Sequence, residues 1–325
     1  MEDRLYFPEI LLMRQTVEEV MFERITVCLD MYGCPNRCKH CWVGHSSNGN
    51  LTKDDLIYVA EKFRPFTNAL TVYDWYREPD YRDNYQELWD LCSRLSDVRE
   101  NHFELISVWR IVRDREYVKW LSALGLKKAQ LTLFGGQEKT DFYTGRENAY
   151  NEILEAIDIL LANQISPRIQ MFVNKDNIGE LPLIETLITK SELEKRCRSF
   201  GGEFSFFMHQ GSCDGENEKR YAVRLTGDDL HMIPQTLADY TLKHFHKTRI
   251  EDVFGKSEQT LCEELKNDGS TASHVSKTPV FFIDNRFFVY PNVTTPGPSW
   301  CLGNLKTEGA ETILAVSYTH LSCRR

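Results

Sequence analysis

The sequence predicts an α/β fold, a partial (β/α)6 TIM-like barrel with a small C-terminal β-hairpin extension. Three observations predict it. Six short apolar runs alternate with six helical patterns across residues 24–246. Helix-capping signals stand between several of them. Near the C-terminus the dipeptide Asp284-Asn285 separates two aromatic-rich runs, a hairpin signature. Strands in series with helices argue for a parallel sheet with right-handed crossovers, and six units are too few to close an eight-stranded barrel.

The elements follow in order after a mixed leader (1–23). Arg24 to Met31 sets Ile25, Val27, Leu29 and Met31 against Thr26, Cys28 and Asp30, which is strand period. Thr52-x-x-Asp55 is a capping box opening a helix with Leu56, Val59, Ala60 and Phe63 on one face. Ala69 to Trp75 is the second strand, and Leu88, Leu91, Cys92 and Leu95 mark its helix. Phe103 to Val112 reads as the third strand, and its helix carries Tyr117, Val118, Leu121 and Leu124 with Gly125 as the C-cap. Ala129 to Phe134 is the fourth. Its helix bears the clearest stripe, Tyr150, Ile153, Leu154, Ile157, Leu160 and Leu161. Arg168 to Val173 is the fifth, followed by a helix from Leu181 to Cys197. Phe204 to Met208 is the sixth, and Thr226-x-x-Asp229 caps a helix running to about Leu242. Residues 24–246 are thus expected to form the core. Residues 247–278 read as a polar linker with one short helix, and 279–314 as the extension. Residues 315–325, without periodicity, read as a non-native or disordered tail.

Bulk properties narrow the function. The 325 residues carry 39 basic and 48 acidic side chains, a net charge of −9, so no global basic field exists for nucleic acid. Ten cysteines without paired spacing exclude a disulfide scaffold. The start Met1-Glu2-Asp3-Arg4 is no signal peptide and no run approaches a membrane span, so a cytoplasmic protein without a membrane is expected.

The chemistry concentrates in Cys34-Pro-Asn-Arg-Cys38-Lys-His-Cys41, placed directly after the first strand. Three thiolates on one loop can hold three irons of a four-iron cluster and leave the fourth open to a ligand, whereas four thiolates close it. The competing reading is a zinc-binding structural module in which His45 supplies a fourth ligand. Because barrel chemistry sits at the carboxyl ends of the strands, this loop falls on the functional face.

This motif, set in its strand–helix series, resembles the radical S-adenosylmethionine (radical SAM) superfamily over roughly two thirds of the chain. The resemblance implies that Cys34, Cys38 and Cys41 ligate a [4Fe–4S] cluster and that SAM binds the open iron. It places His40 near the adenine. Tyr76-Arg77-Glu78-Pro79 occupies the place of the family's Gly-Gly-Glu-Pro turn, which contacts the SAM amino group; the Glu-Pro half matches and both glycines are absent. Thr132 falls where a hydroxyl approaches the SAM carboxylate or ribose, and Arg110 and Asn174 are further strand-end candidates for contacting SAM. The ordinary reading of each is a polar strand end facing water.

Met208, His209 and Gln210 end the sixth strand on the substrate side, with a packed or solvated strand end as the plainer reading of His209. No catalytic acid, base or radical relay is assigned.

The hairpin and Cys301-x-Gly303-Asn304 resemble the start of a SPASM or twitch extension. Tyr290-Pro291-Asn292 stands where a cysteine usually ends the hairpin. Cys262, Cys301 and, more remotely, Cys213 are the candidates for an auxiliary iron–sulfur cluster. Four-cysteine coordination is not visible, so a cluster-free extension is expected. Cys28, Cys92 and Cys197 fit core packing. The resemblance further implies an electron donor such as flavodoxin or ferredoxin. It implies hydrogen abstraction from a substrate, first a peptide or protein side chain, second a small molecule. Only about two dozen residues precede the first strand, so no separate leader-peptide domain is expected there.

Overall fold

The structure is a computed structural model that describes residues 21–41, 43, 49–75, 77–98, 101–211, 215–255, 258–267, 276–291 and 300–315. The chain alternates strands and helices, as its periodicity requires. β1 (Ile25–Leu29) leads to α1 (Lys53–Phe63), β2 (Leu70–Tyr73) to α2 (Tyr85–Leu95). Two further helices, α3 (Val108–Arg113) and α4 (Arg115–Ala123), precede β3 (Lys128–Leu133). α5 (Gln137–Thr144) and α6 (Ala149–Ala162) follow, then β4 (Ser166–Phe172), α7 (Leu181–Lys190), α8 (Leu193–Arg198) and β5 (Ser205–His209). After β5 come α9 (Gln235–Phe245), α10 (Glu251–Phe254), α11 (Glu258–Asn267) and β6 (Val280–Ile283), β7 (Phe288–Pro291) and β8 (Gly303–Asn304). No helix among the described residues is long and apolar enough to cross a membrane.

The strands form two sheets, β2-β1-β6-β7-β8 and β3-β4-β5, rather than a closed barrel. β1 pairs parallel with β2 on one side, Ile25 opposite Leu70, and parallel with β6 on the other, Thr26 opposite Val280. β6 and β7 form the expected antiparallel hairpin, Phe282 opposite Tyr290. β4 lies between β3 and β5, all parallel.

Alternation sorts the side chains of each strand. Ile25, Val27 and Leu29 of β1, with Ala129, Leu131 and Leu133 of β3, are fully buried in one large core with the apolar faces of α1 and α6. Cys28, Phe282 and Tyr290 belong to a second, smaller cluster on the opposite face of the first sheet. Thr52 and Asp55 form the capping box of α1, each accepting from the other's backbone N–H at 3.2 and 3.0 Å.

Four expectations are corrected, the first at the Thr226–Asp229 box, which opens only a short 3-10 helix (Gly227–Met232), so that α9 begins separately at Gln235 after Pro234. The third predicted strand, Phe103 to Val112, is not one: Leu105 makes a single parallel bridge to Gln130, and α3 then begins. Ser107 caps that helix, its hydroxyl accepting from the Arg110 N–H at 3.2 Å, and this local closure outcompetes extended pairing. Arg110 therefore stands in a helix, not at a strand end. The helix predicted from Leu181 to Cys197 is two, broken at Glu192, whose φ of 47° is left-handed. The region between the core and the hairpin contains two helices, α10 and α11, where one was expected.

Candidate cluster and cofactor site

The cysteine loop leaves the carboxyl end of β1 and is held from several directions. Gly33 turns it with a φ of 76°, and its carbonyl accepts the Glu78 N–H at 3.2 Å. The N–H groups of Arg37 and Lys39 donate to the carbonyls of Thr144 and Tyr143 at 2.8 Å, docking the loop on the end of α5. Gly145 (φ 65°) makes that approach feasible: a Cβ there would lie 2.7 Å from the Arg37 carbonyl oxygen. Arg146 reaches Asn36 Oδ1 at 2.8 Å while paired with Glu152, and the Arg220 Nε donates to the Lys39 carbonyl at 3.0 Å.

Cys34, Cys38 and Cys41 share one environment. Burial, then Cys41 and the carboxylate of Glu78, push the Cys38 thiol up to about 12. Cys34 is raised by burial, Glu78 and both other thiols. Two thiols held protonated by burial beside a third are a donor set that a multiply charged metal centre would relieve, by displacing the protons. This fits a [4Fe–4S] cluster. Among the described residues no three Cys, His, Asp or Glu side chains are grouped for a single metal ion, and His45 of the zinc reading lies outside the described residues.

The ring of His40 packs on Phe134 and Phe172, with centroids 4.4 and 4.1 Å away. Burial lowers its pKa to about 3, helped by Arg220 and His209, so it is a neutral imidazole. Phe134 in turn stacks on Tyr143 at 5.3 Å and on Phe172 at 5.6 Å. An aromatic wall thus rises beside the cysteines at the ends of β3 and β4.

Tyr76 lies outside the described residues. Arg77 pairs with Asp30 at 2.8 Å, both side chains almost fully buried, and Pro79 is buried. Glu78 turns its carboxyl to the Ser107 hydroxyl and the Trp109 N–H at the start of α3. Burial raises it to about 7 despite these contacts and the nearby Arg146. Thr132 sits on the inner face of β3, half-buried, alternating with the buried Leu131 and Leu133. Asn174 is engaged in its own turn, its Nδ2 donating to the Tyr143 hydroxyl at 3.0 Å and its Oδ1 accepting from the Asp176 N–H. Arg110 is saturated: its guanidinium donates to the carbonyls of Asp80 and Tyr81 and pairs with Asp83 and Asp114.

His209 ends β5 edge-on to Phe172 at 5.5 Å, its Nδ1 accepting from the Gly211 N–H. Met208 is buried on the other face, and Gln210 bonds Phe254 and Leu225. Cys301 joins Cys41, Tyr290 and Trp300 in the small apolar cluster; Cys262 is exposed, and Cys213 lies outside the described residues.

Sequence reasoning missed Ser107, Arg146 and Arg220, and the buried group Asp80, His102 and Tyr117. Their spacings follow no period; Gly145 before Arg146 was the one available sign of a close approach.

Residues 29–182 match the Radical SAM superfamily. The chain is 22% identical over 167 residues to Fe-coproporphyrin III synthase of Methanosarcina barkeri (strain Fusaro / DSM 804), a match covering 50% of this chain and 40% of that protein. The chain therefore spans about two fifths of the length of this curated relative. Its fold is similar to that of anSMEcpe with bound AdoMet, with a TM-score of 0.52 at 14% identity, covering 91% of this chain and 82% of that one. It is likewise similar to Streptococcus suis SuiB bound to the precursor peptide SuiA, with a TM-score of 0.52 at 11% identity, covering 90% and 64%. At these identities the structural likenesses establish the partial barrel fold.

Proposed function

We propose that this enzyme, a member of the radical SAM superfamily through residues 29–182, binds a [4Fe–4S] cluster on Cys34, Cys38 and Cys41 and abstracts hydrogen from a peptide or protein side chain. When bound, the cluster and SAM supply reductive cleavage of the sulfonium and a 5′-deoxyadenosyl radical able to attack an unactivated C–H bond. The chain's part is to orient, enclose and exclude water. The turn at Arg77, Glu78 and Pro79 would receive the amino group, beside the loop to which Glu78 is bonded. Neutral His40 and the wall of Phe134 and Phe172 offer an apolar face to the adenine. Thr132 offers a hydroxyl at the inner end of β3. Arg110 and Asn174, both engaged within the protein, would shape the site from behind.

The observation that carries this reading is the placement of Cys34, Cys38 and Cys41 on one loop after β1, bonded through Gly33 to Glu78 and lying within the residues that match the Radical SAM superfamily. Cys38→Ala tests it after anaerobic reconstitution. Iron, sulfide and 5′-deoxyadenosine release should all collapse, while far-UV circular dichroism is unchanged. SAM cleavage persisting in the variant would contradict the assignment. An electron donor such as flavodoxin or ferredoxin would deliver the electron, and the hairpin region 279–314 serves as a cluster-free extension.

Peptide modification is supported by solved relatives of similar fold that hold peptides, anSMEcpe with Kp18Cys and SuiB with SuiA. The Fe-coproporphyrin III synthase similarity favours a second reading, a small-molecule substrate. A SAM-dependent mass change in a small peptide encoded beside the gene would decide for the first. No mass change, with metabolic genes as neighbours, decides for the second.

A further inference from the structure

We infer that the buried cluster of Asp80, His102 and Tyr117, with Arg110, fixes the turn Arg77-Glu78-Pro79-Asp80 for SAM, doing by side-chain contacts what backbone freedom would do in a glycine turn. The inference rests on the radical SAM reading of that turn. Asp80 closes it with a φ of 53°, a left-handed conformation that non-glycine residues seldom adopt. That conformation persists only where the surroundings over-determine it.

Three contacts do so. The Tyr117 hydroxyl donates to Asp80 Oδ2 at 2.6 Å, and His102 Nε2 lies 3.0 Å from the same oxygen. Arg110 Nε donates to the Asp80 carbonyl at 2.7 Å, fixing the peptide itself. All four residues are at most 5% exposed. They converge from α3, α4 and the segment before α3, so the turn is tied to elements remote from it in sequence.

The hydrogen bonds of His102 show how firmly the pair is made. Its Nδ1 lies 2.8 Å from the Phe103 carbonyl, which can only accept, so this nitrogen carries hydrogen. Its Nε2 faces a carboxylate. Burial opposes a charge on the ring, and the Asp80 and Phe103 contacts outweigh it and raise the His102 pKa. The Trp89 ring covers the imidazole at 4.6 Å. At the other end of the turn Arg77 is clamped to Asp30. Between the clamps the Glu78 N–H binds the Gly33 carbonyl, one residue before Cys34. A displacement of Asp80 would therefore move the amino-binding backbone relative to the cysteines.

The test uses the full chain, anaerobically reconstituted, with SAM as the probe. Two quantities are read: the dissociation constant for SAM by equilibrium dialysis, and the change SAM produces in the electron paramagnetic resonance of the reduced cluster. Asp80→Gly relieves the left-handed backbone but removes the anchor. It should weaken SAM about tenfold or more and blunt the spectral change, with iron content and the SAM-free spectrum as in the parent protein. His102→Gln should behave similarly. Tyr117→Phe, which keeps the ring and is the variant most certain to fold, should weaken SAM about threefold to tenfold. Asp80→Asn retains an acceptor oxygen and tolerance of the conformation, and should recover part of the loss. Asp80→Gly and Tyr117→Phe proteins that bind SAM as the parent does would overturn the inference while leaving the radical SAM reading intact. A parent protein that holds iron but gives no response to SAM overturns both.

Discussion

The inner face of the first sheet presents Cys28, Phe282 and Tyr290, with Tyr73, Trp75 and Phe288 packed against them. That of the second presents Gln130 and Thr132 from β3, Arg168 and Gln170 from β4, and His209 from β5. The same alternation builds both, yet aromatic rings dominate the first, whereas the second sets Gln130, Arg168 and Gln170 beside Phe172 and Phe207. On the first face the aromatic rings need little beyond shape. On the second each polar group needs a partner: Gln130 Nε2 donates to Gln170 Oε1 at 2.5 Å, Arg168 donates to Gln130 Oε1 at 2.8 Å, and Arg168 also pairs with Glu104. Phe103 packs on the first face, edge-on to Tyr73 at 5.6 Å and tilted to Trp75 at 5.4 Å, and Leu105, two residues on, bridges to Gln130 of β3. The contrast separates a wall held by packing from one held by a hydrogen-bond chain, whose members cannot be removed singly without leaving another unsatisfied.

Four experiments strain this contrast. Phe282→Ala empties the dry wall of a side chain 2% exposed and should cost about 3–5 kcal/mol in urea unfolding. A loss below about 1 kcal/mol would mean that wall is not close-packed.

Gln130→Leu should cost about 1–3 kcal/mol, because Gln170 and Arg168 each lose a partner, while Gln130→Leu/Gln170→Leu should recover part of it. Equal or additive losses would show that no chain exists.

A third experiment concerns Asp74, buried just past β2. It accepts from Tyr32 at 2.6 Å and is raised to about 7 by burial and then by Asp80. Between the ordinary carboxylate range and pH 7 the folded protein keeps a proton that the unfolded chain has released. Stability through this group therefore falls as pH rises, by at most about 1.4 kcal/mol per pH unit. Asp74→Asn should flatten the difference in urea midpoint between pH 5 and pH 7. Parallel pH profiles would refute the raised ionisation.

Thr52→Ala, away from both walls, removes only the cap of α1 and should cost about 1 kcal/mol in the same assay. A larger loss would place Thr52 in the packing rather than at a helix end.

Legibility followed the range of the interaction. β1 and α6 were readable because Ile25, Val27 and Leu29, or Ile153, Ile157 and Leu160, repeat at the period of their own element. The third strand was misread because Phe103, Leu105 and Ile106 are apolar enough for a strand, and Ser107, without an acidic residue three positions on, gives a weak capping signal. The break at Glu192 carries no glycine or proline to announce it. That the cysteine loop directly follows β1 was legible from the order of elements, and Glu78, taken from the resemblance, is bonded to that loop through Gly33. Asp80, His102 and Tyr117 were not legible, since residues 22 and 37 positions apart meet only through the tertiary fold.

The pairing of β6 with β1 has a consequence for biogenesis. Thr26 meets Val280 across more than two hundred and fifty intervening residues, and Asp30 N–H donates to the Ile283 carbonyl. While the ribosome is still making the middle of the protein, the strand leading to Cys34 has one bare hydrogen-bonding edge. Only synthesis of the segment from residue 279 closes it, so the loop carrying Cys34 is fully seated only once that segment is made, and a chain stopped before residue 279 should be prone to stick to its own kind.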